Sequence, residues 1–172
     1  MKPSITTALV LALPLQLGAL LWSGPVVAQS TQDRIVGTWR LATADNVRPD
    51  GSRTAMFGAT PKGVMMFTRD GHFALIQHRA DLPKLGANSR DQGTPEENRA
   101  VVSGSISYYG TYTVDESSRT LTLKLDGSTY ANLLEAGEQK RLVTVLSDDE
   151  LRFTNPRTPS GATLEVGWIR AK

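Results

Sequence analysis

Cysteine is absent from the 172 residues of this chain. Disulfides, thiolate metal sites and a lipid anchor on a cleavage-site cysteine are therefore excluded. Only two histidines are present, and no His-x-His, HExxH or G-x-S-x-G pattern occurs. The sequence thus predicts no metal site and no catalytic serine elbow. Stability must come from apolar burial and backbone pairing.

An excess of charge of one sign is also lacking. The 19 Lys and Arg residues nearly balance the 17 Asp and Glu residues, which leaves a net charge of +2. The two signs are interspersed and form no basic stripe, which argues against nucleic acid as a partner. No phosphate loop or dinucleotide fingerprint is present, so no cofactor is predicted.

Long apolar runs are lacking except near the N-terminus. Residues 8–22 form such a run, and Val26-Val27-Ala28 places small residues at the usual −3 and −1 positions of a cleavage site. We expect residues 1–28 to be a signal peptide, cut before Gln29. The alternative, a membrane anchor, is disfavoured because polar and helix-breaking residues interrupt the run. Residues 29–172 are then one exported domain, periplasmic or secreted, without a membrane span.

The pattern that is present is alternation of apolar and polar side chains, the period of a β-strand. It is clearest in residues 105–115 (SISYYGTYTVD), where one face carries Ile106, Tyr108, Gly110, Tyr112 and Val114. The glycine between the two tyrosines is expected to leave space beside their rings. Such a strand suits the wall of a barrel that holds a small molecule.

The rest of the chain predicts a further seven strands and one helix. The strands are expected at 36–44, 62–68, 72–79, 119–126, 138–146, 150–154 and 162–170, with a ninth short strand or a bulge at 128–132. A short helix is expected from Pro95 to about Ser103, with Thr94 as its N-cap. Residues 29–34 are expected to be a solvated leader, and 133–137 a loop. Short, evenly spaced strands predict a single all-β antiparallel sandwich or closed barrel.

Several short motifs follow one another in a particular order. They are Gly37-x-Trp39, Pro61-Lys62-Gly63, Asp70-Gly71, residues 93–98 (GTPEEN), residues 106–112 (ISYYGTY) and an arginine, Arg170, near the end of the last strand. Together they resemble the bacterial lipocalin-like domain family of the calycin group, over nearly the whole chain after residue 28. The resemblance implies a barrel of about eight strands with one short helix, and lipocalins in general bind small apolar molecules.

Trp39 and Arg170 are predicted to close the barrel. Each shares a strand face with apolar residues that are expected to point inward. If both faces do so, the guanidinium lies over the indole where the first and last strands meet. Such a contact is worth about 0.5–2 kcal/mol, and its role is structural.

Seven residues are predicted to bind the ligand: Tyr108, Tyr112, Gln77, Arg79, His78, Gln139 and Arg141. The tyrosines would contact an apolar body, and the arginines and amides would hold a carboxylate or carbonyl. Alternation alone leaves open whether Gln139 and Arg141, or instead Leu142 and its neighbours, face the interior. His78 lies on the opposite face of its strand from Gln77. In one interpretation it lines the mouth of the barrel, and in the other it is exposed to solvent.

These residues predict an exported protein that carries a small hydrophobic molecule. One alternative is an isomerase or cyclase in which Tyr112, His78 and Arg141 act together, which requires that they converge. Another is an accessory protein with a filled barrel. The long segment 80–104 is either a lid on the mouth or a helix packed on the outer wall.

Overall fold

The structure, a computed structural model, describes residues 29–155 and 162–172. Three helices are present in these ranges: α1 (Thr31–Ile35), α2 (Pro95–Ser103) and α3 (Asn132–Glu135). The strands are β1 (Gly37–Val47), β2 (Arg53–Ala55), β3 (Lys62–Phe67), β4 (His72–His78), β5 (Ser105–Asp115), β6 (Thr120–Ser128), β7 (Gln139–Leu146), β8 (Glu150–Asn155) and β9 (Thr163–Arg170). The signal peptide expected at 1–28 lies outside the described residues.

The strands form one antiparallel sheet that closes on itself. Neighbours follow the order β2-β1-β3-β4-β5-β6-β7-β8-β9, and β9 returns to pair with β1. Eight strands therefore make a closed barrel, and β2 extends the far half of β1 as an extra hairpin strand. The predicted single all-β antiparallel barrel is confirmed.

Alternation predicted the long strands well because each has one buried and one exposed face. Predicted and observed bounds of β3, β4, β5, β7 and β8 agree within one residue at each end. β6 continues through Ser128, and its register with β5 shifts at Asp126. The prediction of a short strand or bulge at 128–132 is wrong, because residues 129–131 form a turn that leads into α3. Helix α2 begins at Pro95 with a capping box, in which Thr94 and Glu97 bond each other's backbone N–H groups.

Three short elements differ from the sequence predictions. The segment expected as a solvated leader contains α1, which ends in a fully buried Ile35. The loop expected at 133–137 contains most of α3, and β2 was not predicted. Elements of three to five residues carry too few positions to show a period, so their formation depends on the surrounding barrel.

The two ends of the barrel differ in how they are covered. At the closed end, where β1 begins and β9 ends, helix α1 contacts β5 and β7. At the mouth, where β1 ends and β9 begins, Phe57 from the β2–β3 connection is buried and joins the core. The core fills the interior of the barrel, hereafter the lumen, between these two ends.

Candidate functional site

The closed half of the lumen is filled by large side chains. The ring of Tyr112 packs edge-on against Phe67, with 4.9 Å between centroids, and Trp168 lies beside Phe153 at 6.4 Å. Met65, Leu121, Leu123 and Leu151 are also fully enclosed. These side chains leave little room for a guest in the closed half, and the partly exposed apolar residues of the inner wall lie toward the mouth.

Arg170 and Trp39 meet at the floor of the barrel. The guanidinium carbon of Arg170 lies 4.0 Å from the centroid of the Trp39 ring. Its nitrogens donate to three backbone carbonyls, those of Arg34, Val36 and Asp148. The indole N–H of Trp39 donates to the carbonyl of Ile35 at 2.8 Å. The arginine thus joins α1 and the start of β1 to β9 and the turn before β8, a geometry that suits a structural role.

Tyr112 lies at the closed end and not at the mouth. It is buried, and its hydroxyl donates to the backbone carbonyl of Thr68 at 2.8 Å. Burial, with smaller effects of the Asp70 and Asp33 carboxylates, raises the pKa of this hydroxyl above its usual value. The hydroxyl is thus already hydrogen-bonded within the barrel, and the ligand contact predicted for Tyr112 stays a prediction.

The inner wall near the mouth is apolar and incompletely covered. Ile106, Tyr108, Leu125 and Leu164 pack against the core on its inner side, but each is only partly buried. Their registers place them opposite Gln77, Leu75, Gly110 and Asn155 on the neighbouring strands. Solvent therefore reaches apolar side chains on the inner wall. A small apolar ligand would cover this surface.

Arg141 is the charged group of this region. It lies on the inner face of β7 with only 6% of its surface exposed, whereas its neighbour Leu142 is 45% exposed on the outer face. The face of β7 that the sequence left open is thereby settled. Nη1 of Arg141 donates to the carbonyl of Lys140 at 2.9 Å. No carboxylate of the described residues forms an ion pair with it.

Asn155 is the polar residue next to Arg141 on the following strand. Leu142 pairs with Thr154, so the register brings Arg141 and Asn155 opposite each other on the inner face. Oδ1 of Asn155 is buried and has no hydrogen-bond partner among the described residues. Asn155 is not evident from the sequence as a site residue, because Asn-Pro is a common turn signal. Its even spacing from the inward Leu151 and Phe153 was the signal that could have found it.

The predicted amides occupy different positions around the mouth. Gln77 is 5% exposed on the inner face of β4, so its face also points inward. Gln139 is half-buried beside the start of β7, and its Nε2 donates to the carbonyl of Gly137 at 3.1 Å. Gln77 and Arg141 lie on strands separated by β5 and β6, with no bond between them.

Arg79 and His78 lie outside the barrel. Arg79 follows the last residue of β4 and forms an exposed bidentate pair with Asp81, at 2.8 and 2.9 Å. His78 lines an outer cleft, and its Nδ1 contacts the carbonyl of Arg79 at 2.8 Å. β4 turns Gln77 inward and its neighbours outward, so this placement does not bring the two residues to the lumen, and their contact with a ligand stays a prediction.

Gly110, the glycine between the two tyrosines, allows the backbones of two strands to approach closely and does not provide space for a ligand. A Cβ on Gly110 would overlap the carbonyl oxygen of Lys124 and lie 3.0 Å from the amide nitrogen of Asp126. The register of β5 and β6 shifts at this position, so β6 passes very close to Gly110. The space expected beside the tyrosine rings is occupied by a strand.

The three residues named for an enzyme do not converge. Tyr112 lies at the closed end, His78 on the outer wall and Arg141 on the inner wall. An acid–base constellation needs groups within hydrogen-bond reach of one substrate, and these three do not provide it. The described residues also contain no group of three His, Asp or Glu side chains placed to hold a metal ion.

The long segment before β5 lies at least partly on the outside. Leu82 shares an outer cleft with His78 and Ser105, and helix α2 contacts β5 with none of its own residues buried. This placement of Leu82 agrees with packing on the outer wall. In the part of the chain that the structure covers, no helix is long and apolar enough to cross a membrane.

Comparison with known proteins relates the sequence to one domain family. The model of the lipocalin-like domain matches residues 36–167. Among solved structures, a lipocalin-like protein from Bacteroides uniformis is 15% identical, with 80% of this chain and 99% of that one covered and a TM-score of 0.44. A redesigned β-barrel, mFAP1, bound to DFHBI, is 17% identical, with 83% and 100% covered and a TM-score of 0.40. No curated protein matches significantly.

Proposed function

Because this chain belongs to the lipocalin-like domain family, we propose that it binds and carries a small hydrophobic molecule in the mouth half of its barrel. The apolar body of the guest contacts the partly exposed inner wall formed by Ile106, Tyr108, Leu125 and Leu164. A carboxylate or carbonyl oxygen of the guest accepts hydrogen bonds from Arg141. We further propose that the protein acts outside the cytoplasm after removal of residues 1–28.

The buried guanidinium of Arg141 is the observation that supports this proposal. A guanidinium has five N–H donors, and the hydrogen bonds of the described residues use one nitrogen, Nη1. Burying a charge without a counter-charge is costly, and a folded chain retains one where a ligand or a network compensates it. Oδ1 of Asn155, on the adjacent strand, also has no hydrogen-bond partner among the described residues. Two neighbouring polar groups of the inner wall therefore have hydrogen-bonding capacity left for a ligand.

Replacement of Arg141 by leucine tests the head-group contact. We expect dodecanoate to bind the Arg141→Leu variant at least about tenfold more weakly, since a charge-assisted hydrogen bond contributes about 1.5–3 kcal/mol. Binding of 1-dodecanol should change little. The fluorescence of Trp39 and Trp168, both fully buried in the lumen, reports binding.

Arg79→Leu is the matched control, because it removes an exposed arginine from the outside of the same mouth. Its affinity for dodecanoate should equal that of the wild type. Arg141→Leu should stay folded, since an apolar side chain often replaces a buried charge without loss of stability. Equal dodecanoate affinities for all three proteins would refute the role of Arg141.

The packed closed half favours a second function, that of a filled-barrel accessory protein. Trp39, Phe67, Phe73, Leu123 and Phe153 occupy the places that such a protein would need to fill. Native mass spectrometry of the protein isolated from its own cells separates the two. A carrier is expected to retain a small molecule that adds a defined mass. A filled barrel is expected to show the mass of the polypeptide alone.

A further inference from the structure

The outer wall of the barrel is divided by charge. Strand β4 contains no Asp, Glu, Lys or Arg, and β5 contains only Asp115 at its last position. On the opposite side each strand presents charged side chains to solvent; these include Arg40 on β1, Lys140 on β7, Arg152 on β8 and Glu165 on β9. Charged residues are the ones depleted from the centres of protein interfaces.

Large apolar side chains project from the uncharged wall. Met66 is 41% exposed, Ile76 49% and Tyr109 57%. The register places Met66, Ala74 and Tyr109 in one row across β3, β4 and β5. Ile76 follows Ala74 on the same face, so the three exposed side chains surround a small residue and form one patch.

A cleft of about 550 Å³ lies within this patch. Its outward-facing lining is small in the middle, at Ala74, Ser107 and Gly127, and larger at Ile76 and Tyr109. A second cleft of about 230 Å³ shares Ile76 and continues toward His78 and Leu82. The wall therefore presents a raised side chain directly beside a depression.

Tyr109 is held in place within the patch. A Cβ on Gly127 would lie 2.5 Å from Cε1 of Tyr109, so the phenol ring rests on the glycine of the neighbouring strand. A ring that is fixed before binding loses little conformational entropy on association. Tyrosine and methionine are also enriched in interface centres.

We propose that this wall, formed by Met66, Ala74, Ile76, Ser107, Tyr109 and Gly127, binds a second copy of the chain in a two-fold symmetric dimer. In such a dimer the same patch meets itself, so a raised side chain beside a depression is self-complementary. An uncharged face complements another uncharged face, because neither buries an unpaired charge. The proposal is independent of any guest in the lumen.

The rim of the patch argues against other partners. Lys62 and Lys124 lie at its edges, but Asp126 lies there too. An anionic membrane surface or a nucleic acid would be favoured by a rim of cations alone. A rim of both signs around a neutral centre is typical of a protein–protein interface.

Two isoleucines provide a matched test. Ile76 on the patch and Ile169 on the charged wall are 49% and 47% exposed, both on outer strand faces. We expect the purified protein to sediment as a dimer in the micromolar range. Ile76→Lys should weaken the dimer by roughly a hundredfold or more, because it places a charge in the interface centre. Ile169→Lys should sediment as the wild type does.

Met66→Lys is the second variant and should also give monomers, with unchanged circular dichroism in all three variants. A wild-type protein that stays monomeric throughout this range overturns the proposal. So do two isoleucine variants that dimerise equally well. A monomer that co-sediments with phosphatidylglycerol vesicles, and loses this with Ile76→Lys, would overturn it in favour of a membrane surface.

Discussion

Two tryptophans in the same lumen differ in how their indole N–H groups are satisfied. Trp39 and Trp168 are both fully buried. The N–H of Trp39 donates to Ile35, whereas that of Trp168 has no partner among the described residues. A buried donor without an acceptor costs about 1–3 kcal/mol, and a satisfied one stabilises by about 1 kcal/mol. The two residues therefore contribute differently to stability despite equal burial.

Phenylalanine at each position separates these contributions. Both substitutions lose similar packing, but Trp39→Phe also loses the bond to Ile35 and weakens the contact with Arg170. We expect Trp39→Phe to lower the free energy of unfolding by about 2 kcal/mol more than Trp168→Phe does. Urea unfolding of the two variants measures the difference. Equal losses would mean that the N–H of Trp168 is bonded in solution.

At the scale of elements, the pairing of β5 with β6 depends on Gly110. β6 pairs with β5 over residues 108–115. The register shift beside Gly110 brings the backbone of β6 against this glycine. Glycine is required here because no side chain fits between the strands. β5 carries Tyr108 and Ile106 to the mouth, so this contact also positions the candidate site.

Alanine at Gly110 should therefore disrupt the sheet. We expect Gly110→Ala to cost about 3 kcal/mol or more, since the backbone of β6 must move. Gly167→Ala is the control. Its Cβ would lie 2.7 Å from Oγ1 of Thr43, whose side chain can rotate, and in ordinary contact with the side chain of Arg152 at 3.9 Å; we expect a cost below about 1 kcal/mol. Thermal unfolding compares the two. Similar melting temperatures would show that β6 yields easily at the bulge.

At the scale of the whole molecule, the closed end depends on residues just after the expected signal peptide. Ser30 caps α1 by accepting from the N–H of Asp33 at 3.0 Å, and Glu116 accepts from Thr31 and Gln32. These bonds lower the pKa of the Glu116 carboxyl, chiefly through Thr31. The helix then places Ile35 under the core. A chain cut after Ser30 would lose this cap and begin to uncover the floor.

We expect the exported protein to begin at Gln29, one residue before that cap. Mass spectrometry of the protein recovered from the periplasm or the medium measures its first residue. Ala28→Arg should block processing, because a small residue is needed at the −1 position. An N-terminus within α1, or a full-length protein retained in the cytoplasm, would contradict the expectation.

The sequence by itself determined the long strands and the helix α2, and it indicated a domain of about eight strands. Alternation along 105–115 and the cap at Thr94 are local properties, since the two-residue period of a strand and the capping geometry involve only near neighbours. The pairing of Trp39 with Arg170 was also inferred, because strands that close a barrel must bring their ends together.

Only the tertiary structure decided which faces point inward and which polar groups meet. Arg141 and Gln77 lie inside and Arg79 outside because the closure of β9 on β1 fixes the rotation of every strand. Asn155 lies opposite Arg141 through the register of β7 and β8, and the start of α1 is bonded to Glu116, the residue after β5. These are contacts between distant parts of the chain, which no local period encodes.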